Sequence, residues 1–370
     1  MLKNTIAIPG YGAGTTHELT VLTFGNPGAR PHVHVQSGLH ADEGPGMLAA
    51  RLLADKLQKA EEAGTIKGCV TVVPLANPLG LNQFVNGDQS GRFDLYDGRN
   101  FNRDYPDLSA EVEKAVDGKL GHDAQQNVAL IRSALQAAVD RLDAGTPSDR
   151  LRKALLNLAF KADVVLDLHC DGEAEVHLYT QPVSADAILP LASFLQCRAA
   201  LIADVSGGEP FDEALVKPWQ ELSRRYPDLP IPTGCSTCTV ELRGRADVCR
   251  SLASRDADSL LQYLMHAGVL EGAAEVPERS CDPTPLAGSE ALVAPVGGLL
   301  SYVAALGARV GVNETVAEIT DLETGKVTAV KASTTGVFYA RPATRIAEPG
   351  KRLGKIAGAT PFRQGALLSP

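Results

Sequence analysis

The sequence has few of the features that mark a secreted or membrane-spanning protein. It contains no run of about 18 consecutive apolar residues, so we expect no helix that crosses a bilayer. The amino terminus, MLKNTIAIPGYGAG, lacks the apolar core and the cleavage site of a secretory signal. Its 7 cysteines are odd in number and scattered, which does not resemble a disulfide framework. These absences predict a cytoplasmic protein with reduced thiols.

Positive charge is also scarce. The chain has 35 Lys and Arg against 44 Asp and Glu, which gives a formal net charge of -9. A nucleic-acid surface needs a concentrated basic face, so we expect neither a nucleic acid nor a membrane as a partner. The 370 residues, 44% of them hydrophobic, suffice for one large and one small domain. The sequence leaves the oligomeric state open, including a homo-oligomer.

The first two-thirds of the chain alternate short apolar runs with amphipathic stretches. This alternation predicts an α/β domain over residues 1–280, with a mixed, largely parallel sheet flanked by helices. The predicted strands are 18–24, 31–37, 69–74, 163–168, 177–180, 199–203 and 239–242. The predicted helices are 45–63, 123–142, 149–160, 185–195, 209–225 and 252–266.

The composition changes after about Pro277. The segment ERSCDPTPLAGS reads as a linker because it is rich in Pro, Ser and Gly. Beyond it, short β-rich pieces separated by Gly or Pro predict a small all-β domain over residues 288–360. Two similar stretches, 294–319 and 332–358, indicate a pseudo-symmetric barrel or sandwich of two half-repeats.

Three side chains that can bind a metal follow or end predicted strands. His40 and Glu43 occur in LHADEGPG, on a connection between a strand and a helix. His169 ends the apolar strand in VVLDLHCDG. Ligands bind at the carboxyl edge of open α/β sheets, and a His, Glu, His set is one that catalytic zinc uses. A buried, hydrogen-bonded core histidine is the alternative for His169. Asp167 either orients a ligand imidazole or pairs elsewhere.

Two further segments carry candidate functional groups. The stretch DGRNFNRDYPD is a polar loop whose arginines suit carboxylate recognition, although a solvated surface loop is the alternative. In CSTCTVELRG, Glu241 lies within an otherwise apolar strand, where an unpaired carboxylate is costly. Its partner is either a metal-activated water or a structural cation.

Together the four segments resemble the succinylglutamate desuccinylase/aspartoacylase family of the zinc carboxypeptidase group. The H-x-x-E pair matches His40 and Glu43, and the D-L-H segment matches His169. An Asn-Pro-Gly-type segment precedes a D-G-x-N-x-N-R-x-[FY]-P stretch, and a T-x-E-x-x-G segment follows later. The residues that match these last three segments are Asn77, Pro78 and Gly80, then 97–106, then Thr239, Glu241 and Gly244.

The resemblance implies a zinc-dependent deacylase with one Zn²⁺ per chain. By it, His40, Glu43 and His169 hold the metal, and a zinc-bound water attacks the amide of an N-acyl amino acid. Glu241 acts as the general base. The resemblance further implies that Asn102 and Arg103 bind the substrate carboxylate. Arg92 polarises the scissile carbonyl, with Arg99 as its rival among the substrate-binding arginines.

The β-rich tail resembles the carboxyl-terminal domain of longer family members, which is similar in plan to biotinyl and lipoyl domains. Lys326, in TDLETGKVTAV, lacks the flanking motif of a modified lysine, so we predict no attached cofactor. Two other functions stay open at this point. One is a metallocarboxypeptidase that acts on short peptides, and the other is a non-catalytic binding or carrier protein.

Overall fold

The computed structural model describes residues 1–368, and a nine-stranded sheet forms its largest element. The first twelve strands are β1 (Leu2–Pro9), β2 (Thr16–Gly25), β3 (His32–Ser37), β4 (Cys69–Val73), β5 (Phe84–Val85), β6 (Asp88–Gln89), β7 (Val164–Asp171), β8 (Glu173–Ala174), β9 (His177–Thr180), β10 (Ala199–Ile202), β11 (Ser236–Gly244) and β12 (Pro283–Pro285). The large sheet has the order β1-β2-β4-β3-β7-β11-β9-β10-β12. Short β5 and β6 pair with each other in a separate hairpin.

Eight α-helices accompany these strands in the described residues. They are α1 (Gly44–Glu62), α2 (Pro78–Leu81), α3 (Ser109–Val116), α4 (Ala124–Arg141), α5 (Pro147–Ala159), α6 (Ala185–Phe194), α7 (Phe211–Arg225) and α8 (Arg250–His266). Every predicted helix and strand of this region has a counterpart. The elements that were not predicted are α2, α3, β1, β5, β6, β8 and β12. No helix in this part of the chain is both long enough and apolar enough to cross a membrane.

The sheet is mixed and largely parallel. Five neighbouring pairs, β3–β4, β3–β7, β7–β11, β9–β10 and β10–β12, are parallel, and the other three are antiparallel. Helices cover both faces, so β3 and β4 are buried along their whole length and β7 up to its last residue. Two large apolar clusters pack against the sheet. The predicted α/β class is confirmed at this level.

The predicted linker contains a strand, which corrects the sequence interpretation. β12 adds to the edge of the large sheet by pairing in parallel with β10. Two of its three residues, Pro283 and Pro285, have no backbone N–H. Such residues are tolerated only where one side of a strand needs no ladder partner, which is the situation at an edge. The Pro-rich composition therefore marks an edge strand as well as a connection.

The carboxyl-terminal region is all β, as predicted. Its strands are β13 (Ser289–Val293), β14 (Gly298–Tyr302), β15 (Arg309–Val310), β16 (Thr315–Thr320), β17 (Val327–Lys331), β18 (Gly336–Arg341), β19 (Ile346–Ala347) and β20 (Arg352–Gly358). One sheet has the order β13-β20-β18-β15 and the other β17-β16-β14-β19. Each half-repeat contributes three strands, and strands of one half pair with strands of the other. Between the sheets lies an apolar core that includes Phe338 and Ile356.

This β region is attached to the larger part by more than the chain connection. Strand β8, just after β7, pairs with β18. Glu173 of β8 forms ion pairs with Arg341 and Arg345, at 2.7 and 2.6 Å. Lys355 Nζ, on β20, lies 2.5 Å from Asp171 Oδ2 at the end of β7. These contacts bring β20 to the edge of the large sheet where β7 ends.

Candidate functional site

The carboxyl ends of three adjacent parallel strands meet at one edge of the large sheet. In the register of β7 and β11, Glu241 lies beside His169. On the other side of β7, the last residue of β3 pairs with Leu168. The chain leaves β3 through Gly38, whose φ of +68° favours glycine, and then reaches His40. The sheet thus places His40, His169 and Glu241 at the same edge.

Glu43 reaches the two histidines because α1 starts directly after it. Pro45 in the first turn of α1 has a backbone angle suited to a helix start. Gly46 allows this turn to lie against β7, since a Cβ there would be only 2.9 Å from the Leu168 carbonyl oxygen. A larger residue at position 46 would push the start of α1, and Glu43 with it, away from β7.

The three predicted ligands form one buried cluster. His40 Nδ1 lies 2.9 Å from Glu43 Oε1, and His169 Nδ1 lies 2.9 Å from Glu43 Oε2. One donor atom from each residue lies within 4.8 Å of the other two, and all three side chains are about 3% exposed. The backbone N–H of Cys170 also donates to Glu43 Oε2, at 3.0 Å. The carboxylate of Glu43 is therefore held between the two imidazoles.

The outer nitrogens of both rings are occupied. His40 Nε2 is 2.8 Å from Asn100 Oδ1, and His169 Nε2 is 2.9 Å from Asp167 Oδ2. Asn100 Oδ1 also accepts from the Asn102 N–H, which identifies it as the oxygen. An oxygen acceptor at each Nε2 holds the ring proton there and leaves a lone pair on Nδ1. The lone pair of His40 then faces Glu43 Oε1 and Arg92 Nη1, at 2.9 and 3.1 Å. The lone pair of His169 faces Glu43 Oε2, which repels it unless a cation lies between. This donor set fits a divalent metal ion.

Electrostatics within the cluster favour a positive charge between the three side chains. Burial would raise the pKa of Glu43, but the facing His40 and His169 rings hold it well below its ordinary value. Burial would lower the pKa of His169, but Asp167 and Glu43 raise it well above the usual range. Burial dominates at His40 and lowers its pKa. The cluster thus concentrates negative charge from Glu43 and Asp167 around one point.

Glu241 faces this cluster across a cavity. Its Oε2 is buried and has no hydrogen-bond partner in residues 1–368. Burial, then the neighbouring charge of Glu43, raises the pKa of Glu241 to about 8. A bound dication would act in the opposite direction. A buried carboxylate oxygen without a protein partner is costly unless a ligand or water supplies one.

The polar loop after β6 supplies the opposite wall of the cavity. Asn102 and Arg103 line it together with Arg92. Asn102 is held in place because its Oδ1 accepts from the Phe211 N–H at 2.9 Å. Arg92 Nη1 lies 3.2 Å from Glu43 Oε1, so Arg92 is beside the metal-binding cluster. Arg99, its rival, instead forms ion pairs with Asp97 and Asp149, at 2.6 and 3.1 Å.

Several cavity residues were not predicted from the sequence. Asn100 accepts a hydrogen bond from His40. The sequence analysis assigned a role only to Asn102, the other asparagine of the N-x-N motif. Lys355 reaches the cavity from β20, and no local motif marks it. Asp212 and Glu213 line the cavity from the first turn of α7. Acidic residues are common in first turns because they complement the helix dipole, so their positions in the sequence do not indicate a pocket.

A family model matches the part of the chain that contains the H-x-x-E pair and the polar loop. Residues 29–140 match the family model described as the Succinylglutamate desuccinylase/Aspartoacylase catalytic domain. A comparison with curated protein sequences found no match.

Solved structures extend the likeness to nearly the whole chain. A protein from Shewanella frigidimarina assigned as a succinylglutamate desuccinylase/aspartoacylase has 25% sequence identity and a TM-score of 0.87, over 96% of this chain and 97% of that one. A family protein from Shewanella amazonensis has 27% identity and a TM-score of 0.87, over 96% and 98%. A succinylglutamate desuccinylase/aspartoacylase from Rhodobacter sphaeroides, at 18% identity and a TM-score of 0.67 over 96% and 94%, shares the fold. The resemblance to this family is confirmed, and the family suggests a hydrolase.

Proposed function

We propose, starting from this family resemblance, that the protein is a zinc-dependent deacylase that hydrolyses the amide bond of an N-acyl amino acid or a related small carboxylate. One observation supports the proposal: a single cavity is lined by the two histidines of the His40, Glu43 and His169 cluster, by Glu241 with its unpartnered Oε2, and by the Asn102–Arg103 pair. The cluster can bind a metal ion, and Glu241 can transfer a proton. The Asn102–Arg103 pair can bind a carboxylate.

His40 Nδ1, His169 Nδ1 and a Glu43 oxygen would hold the ion. Zinc, when bound, supplies Lewis-acid polarisation of a carbonyl and lowers the pKa of a water to about 7. Asn100 and Asp167 keep the two imidazoles in the tautomer and orientation that present Nδ1. These two hydrogen bonds thus determine whether both Nδ1 atoms are free to bind a metal ion.

Glu241 is the proposed general base. Its Oε2 takes the proton of the attacking water and then delivers it to the nitrogen of the leaving amine. The oxygen is available for this because no side chain or backbone group in the described residues donates to it. Arg92 would donate to the developing oxyanion, an interaction typically worth about 3 kcal/mol.

Asn102 and Arg103 would anchor the substrate carboxylate. Arg103 is suited because its guanidinium can donate two parallel hydrogen bonds to a carboxylate. The Asn102 Nδ2 lies 3.5 Å from His169 Nε2, so this anchor is close to the metal cluster. A substrate held there would present an amide within reach of Glu241.

The shape of the cavity favours small substrates over peptides. Its free space is about 670 Å³ when the solvent at its open mouth is included. Leu286, Leu368 and Lys355 line it from beyond the large catalytic region, and therefore narrow the access that an extended peptide needs. We test the proposal by assaying zinc-loaded protein with N-acetyl and N-succinyl amino acids and with short peptides. Turnover of acylated amino acids supports it, and turnover of peptides alone indicates a metallocarboxypeptidase.

We also propose three features of the chain that concern its domains and Lys326. The first is a division into domains over residues 1–280 and 288–360. The second is a biotinyl- or lipoyl-like plan for the carboxyl-terminal domain. The third is the absence of a cofactor on Lys326, which is on the turn between β16 and β17. Intact-protein mass spectrometry at the bare sequence mass would agree with an unmodified lysine, and a biotinyl or lipoyl increment would contradict it.

A further inference from the structure

The polar loop that carries the proposed substrate-binding residues is organised around Asn100. The side-chain Oδ1 of Asn100 lies 2.8 Å from His40 Nε2 and accepts from the Asn102 N–H, also at 2.8 Å. Its backbone carbonyl accepts from the Arg103 N–H at 3.2 Å. Asn100 itself is 5% exposed. One buried residue therefore contacts a proposed metal ligand and both proposed carboxylate-binding residues, and a shift of Asn100 would move all three.

The Asn100 carbonyl has a second donor, Arg152, which lies outside the loop. Arg152 Nη2 donates to this carbonyl at 2.9 Å from the middle of α5. Asp149, three residues earlier on the same face of α5, pairs with Arg99 of the loop at 3.1 Å. Two residues of α5 therefore support the loop, and Arg152 is the one that acts directly on Asn100.

The contacts of Arg152 are few for a buried guanidinium. Arg152 is 5% exposed, and its Nε and Nη1 have no hydrogen-bond partner in residues 1–368. Its Nη1 is 3.8 Å from Asp149 Oδ1, an oxygen that also pairs with Arg99, and its guanidinium lies 5.9 Å from the centre of the Tyr105 ring. Burying a charge without a close partner is costly, so stability of the fold gives little reason for an arginine here. Its contact with Asn100 provides another reason.

We propose that Arg152 is a positioning residue of the candidate site. It fixes Asn100, and through Asn100 it keeps His40 and Asn102 in the arrangement that binds metal and substrate. The inference rests on the proposed function and adds to it a residue that does not line the cavity. A guanidinium suits this role because its donors are held in a planar fork, so little conformational freedom is lost when it binds.

The first experiment measures hydrogen exchange in the metal-free protein, because two amides report on Asn100 directly. The N–H groups of Asn102 and Arg103 both donate to it. Arg152→Met removes the donor to the Asn100 carbonyl and keeps an unbranched side chain. We expect the two amides to exchange about tenfold faster in this variant, as for the loss of a hydrogen bond from a charged group. Exchange as slow as in wild type would overturn the inference.

Lys153→Met is the matched control, because Lys153 is the next residue of α5 and also donates to backbone carbonyls. Its Nζ is 2.7 Å from the Asp140 carbonyl oxygen and 2.8 Å from that of Leu142, near the end of α4. Losing these bonds should affect the contact between α4 and α5 and leave the two loop amides unchanged. If the control accelerates them as much as Arg152→Met does, Arg152 has only a structural role.

The second experiment separates KM from kcat in the zinc-saturated protein. Arg152→Met should raise KM for an N-acetyl amino acid about tenfold and change kcat less, because the carboxylate-binding residues are displaced. Arg152→Lys keeps one donor for the Asn100 carbonyl and should raise KM by about threefold. If Arg152→Met does not fold, the exchange rates and KM of Arg152→Lys decide. Wild-type KM in the folded variants would contradict the role of Arg152.

The two experiments distinguish this inference from the proposed reaction. If no acylated amino acid is hydrolysed but the loop amides exchange faster only in the Arg152 variants, Arg152 does position Asn100 and the deacylase proposal fails. If hydrolysis is found but Arg152→Met matches Lys153→Met in both exchange and KM, the deacylase stands and the positioning role fails.

Discussion

The charged groups at the two ends of the central strands β7 and β11 differ in how they are paired. At the amino end of β7, Asp163 accepts from the His32 N–H at 2.7 Å and forms ion pairs with Arg132 and Arg30, at 2.5 and 3.0 Å. At the carboxyl end of β11, Glu241 has an oxygen without a partner in the described chain. The charged groups at the amino end are paired with each other and stabilise the fold. The carboxyl end leaves a place for metal and substrate.

A similar contrast separates the two regions of the chain. The buried polar and charged residues of the described part lie almost wholly before residue 288, and only Ser289 and Glu290 lie beyond it. Even Glu290 is satisfied, since it accepts from the backbone N–H groups of Ser333 and Thr334. Lys355 is the exception that reaches out of the β region to the cavity. Buried polar groups are thus concentrated in the region that contains the proposed site, and the β region has an almost wholly apolar interior.

The substitution that we expect to change kcat most removes the Glu241 carboxylate at the carboxyl end of β11. Glu241→Gln should lower kcat by about 10²–10⁴-fold, because it removes the general base. The metal-free variant should unfold at no lower urea concentration than metal-free wild type, because burial already disfavours this charge. Steady-state kinetics and urea titrations measure the two quantities. Near-wild-type turnover would mean that Glu241 is not the base.

The next effect concerns the hydrogen bond that holds His40. Asn100→Ala should weaken zinc binding by about 10–100-fold, because Asn100 Oδ1 no longer orients the imidazole. Asn82→Ala is the matched control, since the side chain of Asn82, the residue directly after α2, donates to the Pro78 carbonyl. Competition with a chelating dye measures the affinity. Equal affinities in the two variants would show that His40 needs no such support.

At the opposite end of the strands, Asp163→Asn should affect stability and leave turnover unchanged. Removing one partner of this partly buried network should lower the free energy of unfolding by about 1–3 kcal/mol at neutral pH. Urea unfolding measures the loss, and the kcat of the zinc-loaded variant serves as the internal control. A large fall in kcat would contradict the functional separation of the two ends.

The smallest effect is a pH dependence. It concerns the difference in the free energy of unfolding between wild type and Asp163→Asn. Burial would raise the pKa of Asp163, but the His32 N–H and the two arginines lower it below its ordinary value. A lowered folded-state pKa gives stability that is present above the unfolded value of about 3.9 and is lost as the pH falls through the folded value. The stability difference between wild type and Asp163→Asn should therefore be constant from about pH 7 to 5 and shrink below about 4. A difference that grows on acidification would reverse this assignment.

The sequence predicted most of the site because its residues occur at the ends of recognisable strands. His40, His169 and Glu241 each follow or end an apolar run, and parallel strands bring such positions to one edge. The choice between Arg92 and Arg99 could not be made from sequence. It depends on which way a polar loop folds, and the structure places Arg92 beside Glu43.

What the sequence did not predict has a common physical cause. Lys355 reaches the cavity only through the packing of β20 against the end of β7, more than 180 residues away in the chain. Asp212 and Glu213 look like ordinary helix-start residues until their burial is known. β12 looks like a linker because an edge strand tolerates proline. The positions of all these residues depend on packing between distant parts of the chain. The local sequence pattern does not indicate such packing.

We predict that one metal ion lies among His40, Glu43 and His169. Elemental analysis of the dialysed protein tests it most directly. We predict about one zinc per chain for wild type and almost none for His169→Ala, with both proteins folded by circular dichroism. Wild-type protein that binds no zinc from a zinc-containing buffer, or a His169→Ala variant that retains the full amount, would contradict it.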